Sequence, residues 1–237
     1  MGDLRFTFLV LEEHPFGREM LRQLLAAGFL PELVIEECSE VADQERAKFL
    51  ARMRGFPIAP ELATLVHGKP IRRLKVGDHN GAACEQALAD SRPELVVLGG
   101  TRVLKSRVFA HAQRGALNAH PGLLPELRGA ASVAWAIALD LPIGCTCHFI
   151  DAGVDTGPIV ARRTIEVRRG ASYEQLCHAA TALAGALMTE AVGAATRGAL
   201  SATPQVGTGG KYRNMDEVQL AAVKRKLADG HYAHFAD

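Results

Sequence analysis

Short apolar runs alternate with amphipathic stretches along nearly the whole chain, and this rhythm constrains its fold more than any other feature. Phe6–Leu11 (FTFLVL) is apolar throughout, as expected of a parallel strand buried on both faces. Residues 16–27 then place Met20, Leu21, Leu24 and Leu25 on one helical face, and Gly28 supplies a stop signal. The pattern predicts further strands at 33–36, Arg72–Val76, Leu95–Leu98, Ala116–His120, 144–150 and 158–167. It predicts helices at 40–54, 82–89, 106–112, 131–139, 172–196 and 216–228. Such alternation specifies an α/β fold, a doubly wound parallel sheet with helices on both faces. Residues 198–214, rich in Gly, Thr and Pro, read as a loop. The expected layout is one domain over residues 1–200 and a short loop-and-helix appendage over 201–237.

Composition removes several classes of function. The chain has 237 residues, 48% hydrophobic and 22% charged, which is globular and excludes a disordered chain. Lys+Arg 27 against Asp+Glu 26 leaves a net charge of +1, so no global field recruits nucleic acid or a membrane. Lys211, Arg213, Lys224, Arg225 and Lys226 gather near the end and read as a solvated helix face. Apolar runs such as 133–139 fall far short of the ~20 residues a membrane span needs. No long apolar segment follows Asp3, so the expectation is a soluble, cytoplasmic protein. The five cysteines (Cys38, Cys84, Cys145, Cys147 and Cys177) read as reduced thiols packed in apolar surroundings. Cys145-Thr146-Cys147 has the wrong spacing for a redox or zinc site, and the histidines show no ligand spacing, so no metal is expected.

The turn after the first strand, where an open α/β protein often meets a phosphate, reads Glu12-Glu13-His14-Pro15-Phe16-Gly17. It has no glycine-rich fingerprint, and two carboxylates repel phosphate, which disfavours a dinucleotide-dependent dehydrogenase. The chemistry lies instead in residues 117–159. Asn118 and His120 share one face of a strand that Pro121 ends, which puts both at the carboxyl edge where open sheets bind ligands. An amide and an imidazole aimed at one point polarise a carbonyl and stabilise its oxyanion. A carboxylate from the following Asp151-Ala152-Gly153-Val154-Asp155-Thr156-Gly157-Pro158 loop would keep His120 protonated and join a proton relay.

Together these segments resemble a known family. Asn118-Ala119-His120-Pro121, Leu123-Leu124-Pro125, Arg128-Gly129, His148 and Asp155-Thr156-Gly157-Pro158-Ile159 are similar to the signature of the folate-dependent formyltransferases. That family includes the glycinamide ribonucleotide, methionyl-tRNA and sugar-amine enzymes. The resemblance runs from Phe6 to Val167. It implies a Rossmann-like parallel sheet and 10-formyltetrahydrofolate as the one-carbon donor. It places Asn118, His120 and Asp155 on the catalytic positions. It further assigns Arg102, Val103 and Leu104 to the pterin pocket, with Asp151 and Val154 on the loop that closes over the pteridine. Pro121, Gly122 and Arg128 fall beside the acceptor, and His148 is either catalytic or a hydrogen-bonded core residue.

The departures concern the acceptor. Glu12-Glu13-His14 is unlike the Gly/Ser-rich phosphate loop of the glycinamide ribonucleotide enzyme. The residues after Gly198 read as loop plus helix, unlike the β-barrel domain of the tRNA enzyme. The expectation is therefore a small-molecule amine acceptor, with a nucleotide-linked amino sugar the leading choice and no nucleic-acid or membrane partner. A glycinamide ribonucleotide-type enzyme, a formyltetrahydrofolate hydrolase and a catalytically silent folate-binding protein remain as alternatives, and a homodimer stays open.

Overall fold

The computed structural model describes residues 4–236. In chain order the elements are β1 (Phe6–Leu11), α1 (Pro15–Ala26), β2 (Leu33–Glu37), α2 (Glu40–Arg52), α3 (Leu62–Val66), β3 (Arg72–Val76), α4 (Ala82–Ser91), β4 (Leu95–Leu98), α5 (Ser106–Phe109) and β5 (Ala116–His120). There follow β6 (Leu127–Gly129), α6 (Ser132–Ala138), β7 (Gly144–Phe149), β8 (Ile159–Thr164), β9 (Val167–Arg168), α7 (Tyr173–Thr196), β10 (Gly210–Tyr212), α8 (Glu217–Ala228) and β11 (Phe235–Ala236). Pro15 opens α1 where its missing N–H costs nothing, and Gly28 follows its end with φ 83°. Ser39 and Ser172 cap α2 and α7 with their hydroxyls, and Asp216 with Gln219 forms a capping box on α8.

Seven strands form one sheet in the order β3-β2-β1-β4-β5-β7-β8. The first five run parallel, as expected, but β7 pairs antiparallel with β5, and β8 antiparallel with β7. The fully parallel expectation is corrected at this edge. Apolar content is the same in parallel and antiparallel strands, so it cannot report direction.

The sheet separates two cores by side-chain parity. Phe6, Phe8, Val10, Leu117, Ala119, Cys145 and Cys147 face the larger core, with α1, α6 and α7. Leu9, Ile35, Val96, Leu98 and Ala116 face the smaller one, with α4 and α5. Cys145 and Cys147 are buried free thiols on one face, as the spacing predicts. α7 is the one helix among the described residues long and apolar enough to cross a membrane, yet 61% of its apolar window is buried inside the fold. It is a core helix.

The C-terminal segment is knitted into the rest. β10 pairs parallel with β6, β11 pairs parallel with β9, and Val223, Leu227 and Tyr232 join the larger core. Leu117 is fully buried at the centre of β5. Leu117→Ala is expected to cost about 2–5 kcal/mol of unfolding free energy in urea titration, through lost burial and the cavity left behind. A loss below about 1 kcal/mol would contradict this packing.

Candidate active site

Asn118 and His120 have the parity of Ala116, so they point to the face covered by α4 and α5. β5 outruns those helices, and beyond Ala116 the cover gives way to a cleft of about 750 Å³. Its walls come from the end of β4 and the loop after it (Leu98, Thr101–Leu104), from Asn118 and His120, and from the 150–155 loop. Gly129, Ala130 and Lys211–Asn214 form the remaining side.

Four polar side chains converge on the floor of the cleft. Antiparallel register sets His148 directly opposite Asn118, and the Asn118 amide Nδ2 lies 3.3 Å from His148 Nε2. His148 Nδ1 lies 2.7 Å from the Phe149 carbonyl, which only accepts, so this nitrogen carries the proton. His120 Nε2 likewise donates to the Leu127 carbonyl at 2.7 Å, with Ser132 Oγ 3.1 Å away. Asp155 sits between the two rings, Oδ2 3.5 Å from His120 Nδ1 and Oδ1 3.5 Å from His148 Nε2. It accepts the Gly129 N–H at 2.8 Å and is itself left-handed, with φ 54°. Asp tolerates that conformation better than most residues because its short side chain bonds locally.

Burial raises the Asp155 pKa, but the adjacent His148 and His120 rings and the Gly129 N–H outweigh it, pulling the pKa down to about 2. For His120 burial wins: its pKa is lowered, and the Asp155 charge only partly offsets this. Asp155 does raise the His120 pKa, as expected, but the expectation that it keeps the ring protonated is corrected. Desolvation of a fully enclosed imidazolium exceeds the attraction of one carboxylate. The resting site has an ionised Asp155, a neutral His120 whose Nδ1 is an acceptor, and Asn118 as its amide donor.

The expected donor-binding residues do come together. Thr101–Leu104 faces Ile150, Asp151 and Val154 across the cleft. The side chain of Asn80 pins the first loop, donating to the Val103 carbonyl at 3.0 Å and accepting the Lys105 N–H at 2.7 Å. Val103 is 67% exposed, an aliphatic side chain without packing of its own. The Arg102 guanidinium is held by buried Glu37, and Asp78 lies 3.4 Å away. Asp151 shapes its own loop, accepting from the Gly153 N–H and the Thr156 hydroxyl.

Pro121, Gly122 and Arg128, expected beside the acceptor, are not among the residues that line this cleft. A β-carbon at Gly122 would stand 2.7 Å from His120 Nε2 and 2.8 Å from Ser132 Cβ, so this glycine makes room behind the ring. Pro121 lines a small separate cavity with Phe49 and Tyr173. Arg128 donates to Gln205 at 2.8 Å. The Glu12-Glu13-His14 turn is spent internally: Glu13 accepts the Leu62 N–H, Glu12 pairs with Lys75, and His14 is buried against Phe49.

Sequence reasoning missed Gln205, Ser132 and Lys211–Asn214. Gln205 Nε2 donates to the carbonyls of Asp155 and Gly157, 2.9 Å each, bracing the loop that carries the carboxylate. No local pattern announces these residues. A glutamine in a Gly/Thr/Pro-rich loop gains its meaning only from the backbone it reaches.

Comparison with known proteins places the chain in a family. A formyl transferase family model matches residues 39–192, and the chain belongs to that family. It is 33% identical over 215 residues to a methionyl-tRNA formyltransferase from Methylibium petroleiphilum, covering 88% of this chain and 66% of that relative. Among the first five curated relatives the match spans between 40% and 69% of their length. The fold is shared with a 4-N formyltransferase from Francisella tularensis, at TM-score 0.65 and 16% identity over 96% of this chain and 88% of that one. It is also shared with the formyltransferase PseJ from Anoxybacillus kamchatkensis, solved with UDP-4,6-dideoxy-4-formamido-L-AltNAc and tetrahydrofolate. That match has TM-score 0.59 and 16% identity, over 94% and 98% of the two chains. Formyl transferases of this family use 10-formyltetrahydrofolate.

The depressed Asp155 pKa has a consequence for stability. A carboxylate at about 2 in the fold, against an ordinary 3.8, contributes stability that is complete above the ordinary value and lost as pH falls toward 2. Urea unfolding of the native chain and of Asp155→Asn at stepped pH should show this acid-dependent component only in the native chain. An identical pH dependence in both would refute the assignment.

Proposed function

We propose that this chain transfers a formyl group from 10-formyltetrahydrofolate to the primary amine of a small acceptor. The observation that carries the proposal is the convergence of Asn118, His120, His148 and Asp155 at the floor of a cleft with an apolar wall. Leu98, Val103, Leu104, Ile150 and Val154 suit a flat heteroaromatic ring, and exposed Val103 is the side chain most in need of one. When bound, the donor supplies a formyl carbonyl on a nitrogen that can leave.

This chain's residues would do the rest. Asn118 donates to the carbonyl oxygen as negative charge grows there, and His148 orients its amide. His120, neutral because it is buried, takes the acceptor's proton at Nδ1, while its Nε2 stays fixed to the Leu127 carbonyl. Ionised Asp155 stabilises the imidazolium so formed and favours return of the proton to the departing nitrogen. Donor and base are thus separate residues, rather than two donors on one oxygen.

The acceptor reading rests on the size of the cleft, about 750 Å³, and on the near-neutral net charge of +1. It is supported by the fold shared with PseJ, which was solved with a UDP-linked formamido sugar. Identity to the Methylibium petroleiphilum relative favours a second reading, formylation of methionyl-tRNA. Incubation with 10-formyltetrahydrofolate and either charged tRNA or a panel of small amines, following tetrahydrofolate release and product mass, separates the two.

Removal of one oxyanion donor typically costs ~10²–10³ in turnover, and Asn118→Ala is expected to lose that much. His120→Ala and Asp155→Asn should lose comparable turnover, and the double variant far less than the product of the two, because they act as a unit. The acid limb of the kcat profile should lie below the ordinary histidine value of 6.5 and move lower still in Asp155→Asn, which removes the charge that raises the His120 pKa. Near-native turnover in Asp155→Asn would defeat the mechanism.

A further inference from the structure

We propose that Gln205 and Arg128 are positioning residues for the proton relay, and that through them the C-terminal segment is a working part of the site. The inference rests on the formyl-transfer mechanism proposed above and adds what fixes its carboxylate. Asp155 holds a left-handed backbone conformation, φ 54°, of a kind that persists only where surrounding contacts impose it. Gln205 supplies such contacts. Its Nε2 has two hydrogens, and both are spent on this loop, 2.9 Å from the Asp155 carbonyl and 2.9 Å from the Gly157 carbonyl. Arg128 donates to Oε1 of the same amide at 2.8 Å, which leaves the amide a single orientation. Gly129, next to Arg128, gives its N–H to Asp155 Oδ2 at 2.8 Å. Two neighbouring residues of β6 thus hold Asp155 at both ends. Gly129 holds the carboxylate, and Arg128, through Gln205, holds the backbone.

Gln205 is itself anchored on either side. Thr203 exchanges two backbone hydrogen bonds with Ile159 at the start of β8, 2.8 Å each. Gly210, Lys211 and Tyr212 pair with Leu127, Arg128 and Gly129. Between these anchors residues 203–208 are exposed except for Gln205, the one turned inward. The brace extends to His148. A β-carbon at Gly157 would overlap the Phe149 carbonyl, so the loop backbone lies directly against that oxygen. The same carbonyl accepts from His148 Nδ1, which leaves Nε2 facing Asp155. One glutamine therefore steadies the carboxylate and the backbone that orients the neighbouring ring.

The test uses the whole chain, 10-formyltetrahydrofolate and the best acceptor of the panel above, with carbon NMR of the Asp155 carboxyl as a readout independent of activity. Gln205→Ala should lower kcat about 10- to 100-fold, the cost of displacing a reacting group by about an ångström. KM for the donor should hardly change, because Gln205 lies outside the cleft walls. Gln205→Glu keeps a partner for Arg128 but has no donor for the two carbonyls, so it should fall as far. In an Asp155→Asn background, Gln205→Ala should cost less than about a further twofold, since its effect passes through the missing carboxylate. The Asp155 carboxyl, at about 2 in the native chain, should titrate nearer its ordinary 3.8 in Gln205→Ala. Native-like kcat in either Gln205 variant, an unmoved Asp155 titration, or losses that multiply in the double variant would overturn the proposal. So would a loss confined to the donor KM, the mark of a displaced folate loop. Absence of formyl transfer by the native chain to every amine and to methionyl-tRNA would sink the transfer reading instead, and the Asp155 titration would still decide the brace.

Discussion

Antiparallel pairing of β5 with β7 is the constraint on which the site depends. Its register sets His148 opposite Asn118 and turns the 150–158 connection back across the sheet. With the pairing in place, two strand residues and one loop residue share a single small volume. The Gly129 N–H and Gln205 amide then hold the loop against the strand end. The reacting groups are positioned by backbone pairing rather than by flexible side chains, which is the form preorganisation takes in this fold.

Burial has opposite consequences for the two ionisable partners. Asp155 gathers enough donors to remain charged although little of it meets water. His120 is enclosed by Leu127, Ser132 and Gly122, whose missing side chain leaves room for the ring, and gathers only one carboxylate, so it rests neutral. Separation of the two protonation states gives a base and a fixed countercharge without a metal cluster, and none is present among the described residues. The rest of the cleft divides its duties by chemistry, apolar toward Val103 and Ile150 and cationic toward β10.

Much of the architecture was legible in the chain itself. Apolar runs such as Phe6–Leu11 and Leu95–Leu98 became the central strands with the same ends, and Gly28, Ser39 and Ser172 punctuate helices as their chemistry requires. These signals are local, so neighbouring residues suffice to read them. The misses share the opposite property. β6 and β10 are three residues each and exist because they pair with one another across more than eighty positions. α3, five residues long, is too short to show a period.

The sequence by itself determined the strand–helix order, the reduced cysteines and the placement of Asn118 and His120 on one face, each from residue type and a period of two or 3.6, which need no knowledge of distant partners. The choice of Asp155 as the carboxylate came from the resemblance to a known family. Only the tertiary structure decided strand direction at the sheet edge, the neutrality of His120, the pairing of Arg128 with Gln205 and the recruitment of β10 to the cleft. Those outcomes depend on how much water is excluded and on which backbone groups meet across the fold. Residues adjacent in sequence carry no record of either.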